Sequence, residues 1–225
     1  MSSTDSTSTR AKGGSAEKRA AILRAARKVF GRDGYARASI DAIAAEAGVS
    51  TRTLYNHFGG KESLFTETVT DSATGVSAAH IATVGRHLDK VTDLQEDLVA
   101  LGFDLVTSPL REEFADHFAM VRQINSEAAH FPQASLEAWQ EAGPRRVRRE
   151  LAAGFDRLQS RGLLRPARSD RMAQHFLALV GSEVQQRSVG GAIPLDDAEV
   201  RDIIEDGVRA FLGGYLPQEH GTSPE

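Results

Sequence analysis

Two very short helical segments joined through a glycine turn constrain this chain more than any other feature. Ser39 is a side-chain acceptor suited to an N-cap, and Asp41 puts a negative charge in the first turn. Ile40, Ile43, Ala44 and Ala47 then form an apolar face that stops at Gly48. After Val49, Ser50 offers another cap, and Leu54 and Phe58 lie four residues apart before Gly59 and Gly60 end the pattern. Two such helices pack at a steep angle only with a small residue on the first, a glycine in the turn that can take a positive φ, and an apolar anchor on the second. Ala44, Gly48 and Leu54 meet those needs, with Ile43 and Val49 completing the buried side. The outline is a helix-turn-helix.

The flanking sequence extends this into an all-helical chain. Ser15 is a plausible N-cap, after which Ile22, Ala26 and Phe30 recur every four residues, Leu23 and Val29 widen the stripe, and Gly34 stands at the C-cap position. Residues 1–14, rich in Ser, Thr and Gly, read as a disordered arm. Arg10 and Lys12 on it either reach a DNA groove or ride on a floppy tail. Beyond Lys61 there is no sustained alternation and no hairpin turn between apolar runs. The pattern predicts helices near 61–88, 92–107, 109–129, 132–142, 144–162, 169–189 and 196–214, with Pro109, Pro132, Pro144 and Pro194 at the joints. The expected organisation is a disordered arm over 1–14, a three-helix domain with the helix-turn-helix over 15–60, a larger helical domain over 61–215 and a flexible tail over 216–225.

Composition narrows the chemistry. The longest apolar stretch, Phe176 to Val180, is far short of the ~20 residues that span a bilayer. The absence of cysteine removes disulfides, thiolate metal sites and cysteine nucleophiles together. No basic flank precedes an apolar segment at the N-terminus, so a cytoplasmic location is expected. The net charge of -4 counts against a polyanionic partner only until it is mapped. Residues 10–61 carry eleven basic and four acidic side chains, a local +7, which leaves -11 for the rest. A basic module on an acidic body suits a protein that touches a polyanion with one end.

The second short helix displays Thr51, Arg52, Thr53, Tyr55, Asn56 and His57, hydrogen-bonding side chains of the kind that reach base edges or phosphates from a major groove. The run SIDAIAAEAGVSTRTLYNHFGGKESLF, Ser39 to Phe65, resembles the DNA-binding domain of the TetR family of bacterial transcriptional regulators, and the match extends back to about residue 16. The resemblance implies an all-α homodimer that reads a palindromic operator in double-stranded DNA, with a larger C-terminal helical bundle that binds a small-molecule inducer and dimerises. It implies a repressor, with no cofactor, no metal and no catalytic residue. By position it assigns DNA contacts to Ser39, Ser50, Thr51, Arg52, Thr53, Tyr55, Asn56, His57 and Lys61, with Ser39, Tyr55, His57 and Lys61 on phosphates. Many relatives have Gly where Arg52 stands, so this guanidinium is expected to add a base contact, most naturally to guanine. Gly60 replaces the Ser that often caps the next helix, a change of only a few tenths of a kcal/mol. Tyr55 alternatively packs against the first helix, His57 alternatively lies free on the surface, and Arg37 either binds a phosphate or points into water.

The segment from Gln123 to Leu151 and the helix from Asp170 resemble the AefR-like class of C-terminal domain in the same family. Candidate inducer-lining residues are Phe103, Phe118, Val121, Arg122, Asn125, Phe131, Trp139, Phe155, His175 and Phe176, each of which is alternatively plain core. Leu179, Val180 and Val184 with Val200, Ile204, Val208 and Phe211 are expected at the dimer interface as part of a four-helix bundle, although some of both stripes must face the subunit's own core, so not all of them can lie there. Arg145, Arg146, Arg148 and Arg149 read as a solvated face partly paired with Glu141 and Glu150. An enzyme reading lacks every motif it needs: there is no HExxH, no phosphate-cradling glycine loop and no GxSxG elbow. A constitutive DNA-binding or adaptor protein without an inducer stays open beside the regulator.

Overall fold

The computed structural model describes residues 6–128 and 131–217, with side chains from Gly14 onward. Every regular element among the described residues is helical: α1 (Ser6–Arg37), α2 (Ile40–Glu46), α3 (Thr51–Phe58), α4 (Lys61–Leu88), α5 (Leu94–Val106), α6 (Ala115–Glu127), α7 (Gln133–Ala142), α8 (Pro144–Ser160), α9 (Ser169–Arg187) and α10 (Asp197–Tyr215). Four of them start on a side chain that accepts a free backbone N–H: Ser39 from Ala42, Ser50 from Thr53, Asp93 from Glu96 and Asp196 from Ala198. Pro144 opens α8, where its missing N–H is harmless.

Three boundaries differ from expectation. α1 begins at Ser6 and not after Ser15, so the second part of the expected arm is helical backbone; adding a residue to an existing helix needs no new nucleus. Residues 1–5 of the arm and 218–225 of the tail lie outside the described residues. The helix expected over 109–129 starts only at Ala115, preceded by two 3-10 turns, Ser108–Leu110 and Glu112–Phe114, because Arg111 between them is extended at φ -74, ψ 129. Finally, the chain divides into two compact units away from the 60/61 boundary. The first comprises residues up to Val76 with Glu113–Gly143, and the second Ser77–Glu112 with residues from Pro144 onward. α4 runs unbroken from Lys61 to Leu88 and contributes to both.

In the first unit the α1 stripe of Ile22, Ala26, Val29 and Phe30 is buried with Leu64, Phe65 and Val69 of α4 and Met120 and Ile124 of α6. Phe65 packs on Phe30 and Phe131, each at 5.0 Å between centroids. Two polar rungs tie α4 to its neighbours: Thr66 and Ser135 share a hydrogen bond of 2.6 Å, and Ser72 Oγ lies 2.9 Å from His117 Nδ1.

In the second unit α5, α8, α9 and α10 enclose Leu98, Leu101, Phe155, Leu158, Met172, Phe176, Ile204 and Phe211. Val180, Val184, Val200, Ile204, Val208 and Phe211 do not face outward as a dimer-interface set requires. They are at most 7% exposed within this one unit, and a side chain without free surface has none to offer a partner. A 3.6-residue stripe shows that a face is covered and leaves open what covers it. Of that set Leu179, 40% exposed, keeps apolar area toward solvent.

α9 and α10 approach so closely at Gly207 that a Cβ there would lie 2.4 Å from the Leu179 carbonyl oxygen and 2.8 Å from its carbon. The obstacle is backbone and cannot rotate away. Gly207→Ala should therefore cost about 1–3 kcal/mol of overpacking, outweighing the gain of up to ~1 kcal/mol in helix propensity. Urea unfolding reads the difference, and a stabilised variant would contradict this packing.

His80 of α4 is half-buried in the same unit, with Nε2 2.9 Å from Ser108 Oγ. The Ser108 hydroxyl donates to the Leu105 carbonyl at 2.8 Å, so it is His80 that donates to Ser108. Burial, assisted by the positive charge of Arg111, pushes the His80 pKa down to about 4. The folded state thus binds fewer protons than the unfolded one below the ordinary histidine value of ~6.5. Stability should be unaffected by this group above that pH and fall as pH drops toward 4, by on the order of 3 kcal/mol, then level off. His80→Gln, which keeps a donor for Ser108, should flatten that part of the pH–stability curve.

Candidate nucleic-acid interface

The interface is built from α2, α3 and the turn between them. Ser39, in extended conformation at φ -114 and ψ 149, caps α2 by accepting from Ala42 N at 3.1 Å, which leaves its hydroxyl proton free to donate. Ile43 and Ala44 turn inward, 0% and 3% exposed. The turn then folds back on α2: Gly48 N donates to Ala45 O at 3.1 Å and Val49 N to Ala44 O at 3.0 Å. Gly48 takes φ 65, the left-handed conformation that a side chain would disfavour.

Ser50 caps α3 twice over. Its Oγ accepts from Thr53 N at 3.1 Å and shares a 2.8 Å hydrogen bond with Thr53 Oγ1. The hydroxyl of Thr53 is therefore tied to the cap and half-buried. Leu54 (0% exposed) and Phe58 (4%) bury one side of α3, which leaves Arg52, Tyr55 and Asn56 on the outer side with Thr51 at its edge. Tyr55 is 51% exposed, so its ring is displayed and not packed away against α1. His57 is half-buried against Phe58, with ring centroids 6.2 Å apart.

The local +7 does not survive as seven free charges. Arg19 pairs with Glu67, Arg27 with Asp71 at 3.1 Å, Lys28 with Glu46 at 3.4 Å, Arg32 with Asp33 at 2.7 Å and Arg37 with Glu127 at 3.9 Å. Glu67, Asp71 and Glu127 lie outside the basic stretch, a compensation that a windowed charge count misses. Arg37, read from sequence as facing phosphate or water, is 68% exposed, with Glu127 within ion-pair distance at its side. Lys61 is turned back on α1: its Nζ donates to the Ala36 carbonyl at 3.1 Å and lies 4.9 Å from the Tyr35 ring centroid. Arg52 makes no ion pair or hydrogen bond among the described residues and stands exposed on α3.

The candidate inducer residues fall into both units. Phe118, Val121, Arg122, Asn125, Phe131 and Trp139 belong to the first, and Phe103, Phe155, His175 and Phe176 to the second. Arg122 and Asn125 are exposed, and so is His175, whose Nδ1 meets Tyr215 Oη at 2.6 Å, so none of these is the buried polar group expected of an inducer contact. Helical spacing allows either face for such residues. Phe155 and Phe176 are fully buried, packed with each other and with Phe211 at 5.3–5.7 Å as core aromatics are. Phe131 and Trp139 are buried in the first unit, and Phe103 is half-covered with the Arg201 guanidinium 5.3 Å from its ring. Among the described residues no three His, Asp or Glu side chains are grouped to hold a metal ion, and no helix is long and apolar enough to cross a membrane.

Comparisons with known proteins bear on the same two regions. Residues 22–68 match the model of bacterial regulatory proteins of the tetR family, and residues 96–217 match the AefR-like transcriptional repressor C-terminal domain. The HTH-type transcriptional regulator BetI of Brucella suis is 26% identical over 221 residues, covering 90% of this chain and 96% of the relative. A solved TetR-family regulator of Mesorhizobium loti superposes with a TM-score of 0.81 at 27% identity, covering 90% of this chain and 98% of that one. The flavonoid-responsive regulator FrrA does so with a TM-score of 0.67 at 29% identity and the same coverage. These relatives are regulators and not enzymes. The helix-turn-helix geometry and both family matches agree: the chain belongs to the TetR family of bacterial transcriptional regulators.

Proposed function

We propose that the chain is a ligand-responsive repressor that binds a palindromic operator as a homodimer and is released when a small molecule occupies its C-terminal domain. The observation that carries the reading is α3 itself: a helix capped by Ser50, anchored by Leu54 and displaying Arg52 without a partner among the described residues. An unpaired guanidinium is ready for a bidentate contact to guanine O6 and N7, with no ion pair to break first. Ser39, Tyr55 and His57 serve as phosphate contacts that set register, with Ser50, Thr51, Thr53 and Asn56 as further contacts to DNA. Two copies of α3 about one DNA turn apart, ~34 Å, fit successive major grooves of an inverted repeat.

Ligand response is supported by the flavonoid-responsive relative of similar length and fold. A ligand releases DNA only in proportion to its preference for the non-binding conformation. A thermal-shift screen that includes flavonoids tests this, since a compound at 100 times its Kd stabilises the folded chain by about 2.7 kcal/mol. A hit should also weaken operator binding. Unchanged operator affinity at saturating ligand would contradict the coupling.

A further inference from the structure

Two buried polar atoms of the first unit have no hydrogen-bond partner among the described residues: the Thr70 hydroxyl of α4 and the Trp139 indole N–H of α7. They belong to one level of one helix pair. Thr66 of α4 and Ser135 of α7 share a 2.6 Å hydrogen bond, and a Cβ on Gly143, at the end of α7, would lie 3.1 Å from the Ala73 Cβ of α4. The two helices therefore run side by side in the same direction. Thr70 and Trp139, each four residues beyond Thr66 and Ser135, fall between these two contacts. Trp139 is 9% exposed, and the buried apolar cluster that holds it also holds Val69, Ala73, Met120, Ile124 and Phe131.

The Thr70 hydroxyl departs from the pattern of its own helix. Thr66, Thr68 and Thr74 donate to the carbonyl four residues back, Glu62 O at 2.9 Å, Leu64 O at 2.6 Å and Thr70 O at 2.8 Å, whereas the Thr70 hydroxyl does not. A hydroxyl and an indole N–H left without partners in apolar surroundings cost free energy, which an incoming acceptor recovers. Thr70 as a whole is half-buried, so the pair lies at the rim of the core.

We propose that this level of α4 and α7 holds the polar group of the ligand: a carbonyl oxygen accepts from the Trp139 indole N–H and from the Thr70 hydroxyl, with the apolar skeleton against the neighbouring cluster. Both protein groups donate and neither carries charge, which selects a neutral acceptor. A carboxylate or phosphate would leave water without an opposite charge to meet. The class is a neutral aromatic ketone, its flat rings suited to the indole and to Phe131. The inference rests on the ligand-responsive reading above and supplies that reading with a site and a ligand class.

The test uses the full chain with flavanone, a neutral aryl ketone, and flavan, the same skeleton with a methylene in place of the carbonyl. Trp139 is the only tryptophan, so its indole N–H gives a single nuclear magnetic resonance signal. Flavanone should move the indole proton downfield, as a new hydrogen bond does, and should bind about tenfold more tightly than flavan in calorimetric titration. Thr70→Val and Trp139→Phe should each remove about that factor for flavanone and leave flavan unchanged. Thr70→Val deletes an orphaned hydroxyl at nearly constant volume, so its urea midpoint should not fall and its effect on binding is separable from misfolding. Equal flavanone affinity in the wild type and both variants would overturn the proposal, as would an indole signal unmoved at saturation or no binding of flavanone at all. Flavanone that binds through Trp139 and leaves operator affinity unchanged would instead contradict release by ligand, while the site itself stands.

Discussion

Replacing Phe155 with alanine is expected to lower the stability of the chain by about 3–5 kcal/mol, a large share of what a domain of this size possesses. The ring is fully buried on α8 and meets Phe176 of α9 and Phe211 of α10 at 5.7 and 5.3 Å. Removing it takes away a transfer contribution, leaves a cavity that three helices cannot all collapse around, and abolishes the edge-on and tilted stacking with both neighbouring rings. The outcome discriminates between the two readings that the sequence allows for Phe155 and Phe176. A residue lining a hollow gives up little packing on truncation and changes ligand response, whereas a core residue loses stability. Chemical unfolding followed by circular dichroism should show the full loss. A cost below about 1 kcal/mol combined with altered ligand response would return these rings to a pocket.

Arg52→Ala is expected to cost about 1–3 kcal/mol per half-site, and so roughly twice that for a dimer on a symmetric operator, while leaving stability unchanged. The expected size follows from the surroundings of Arg52. Arg19, Arg27, Lys28, Arg32 and Arg37 of α1 each pair with a carboxylate, so deleting any of them removes a charge that is already partly balanced. Arg52 is exposed, makes no ion pair or hydrogen bond among the described residues, and projects from a helix that the buried Leu54 anchors. The loss should be concentrated on one base pair of each half-site and be much smaller on scrambled DNA. Equal losses on operator and scrambled duplex would contradict its assignment as a reader.

Helices with local punctuation were legible in the sequence. Ser39, Ser50 and Pro144 mark starts that the structure retains, and Gly48 takes the positive φ that the turn chemistry demands. Burial of Ile22, Ala26, Phe30, Ala44 and Leu54 follows from spacing alone. What spacing does not carry is the identity of the covering partner. Val180, Val184, Val200, Ile204, Val208 and Phe211 of α9 and α10 are buried in one cluster with residues of α5 and α8. Arg37 finds Glu127 and Arg27 finds Asp71 far along the chain, so the charges that remain free near α3 depend on pairings that no local window contains. The same reason hides Lys61, whose acceptor is a backbone carbonyl with no sequence signature. Arg122, Asn125 and His175 show the converse: polar residues flanked by apolar ones lie on exposed faces, because one position along a helix moves a side chain by ~100°.

Whether α3 reads DNA sequence, with Arg52 as its principal base contact, is decided by selecting bound duplexes from a random-sequence pool with the wild-type chain and with Arg52→Ala. The wild type should select an inverted repeat whose half-site centres lie about one helical turn apart, ~34 Å. Each half-site should contain a guanine whose preference disappears in the variant. A pool that gains no common sequence, or one in which the variant selects the identical repeat with the same guanine, would contradict this role for α3 and Arg52.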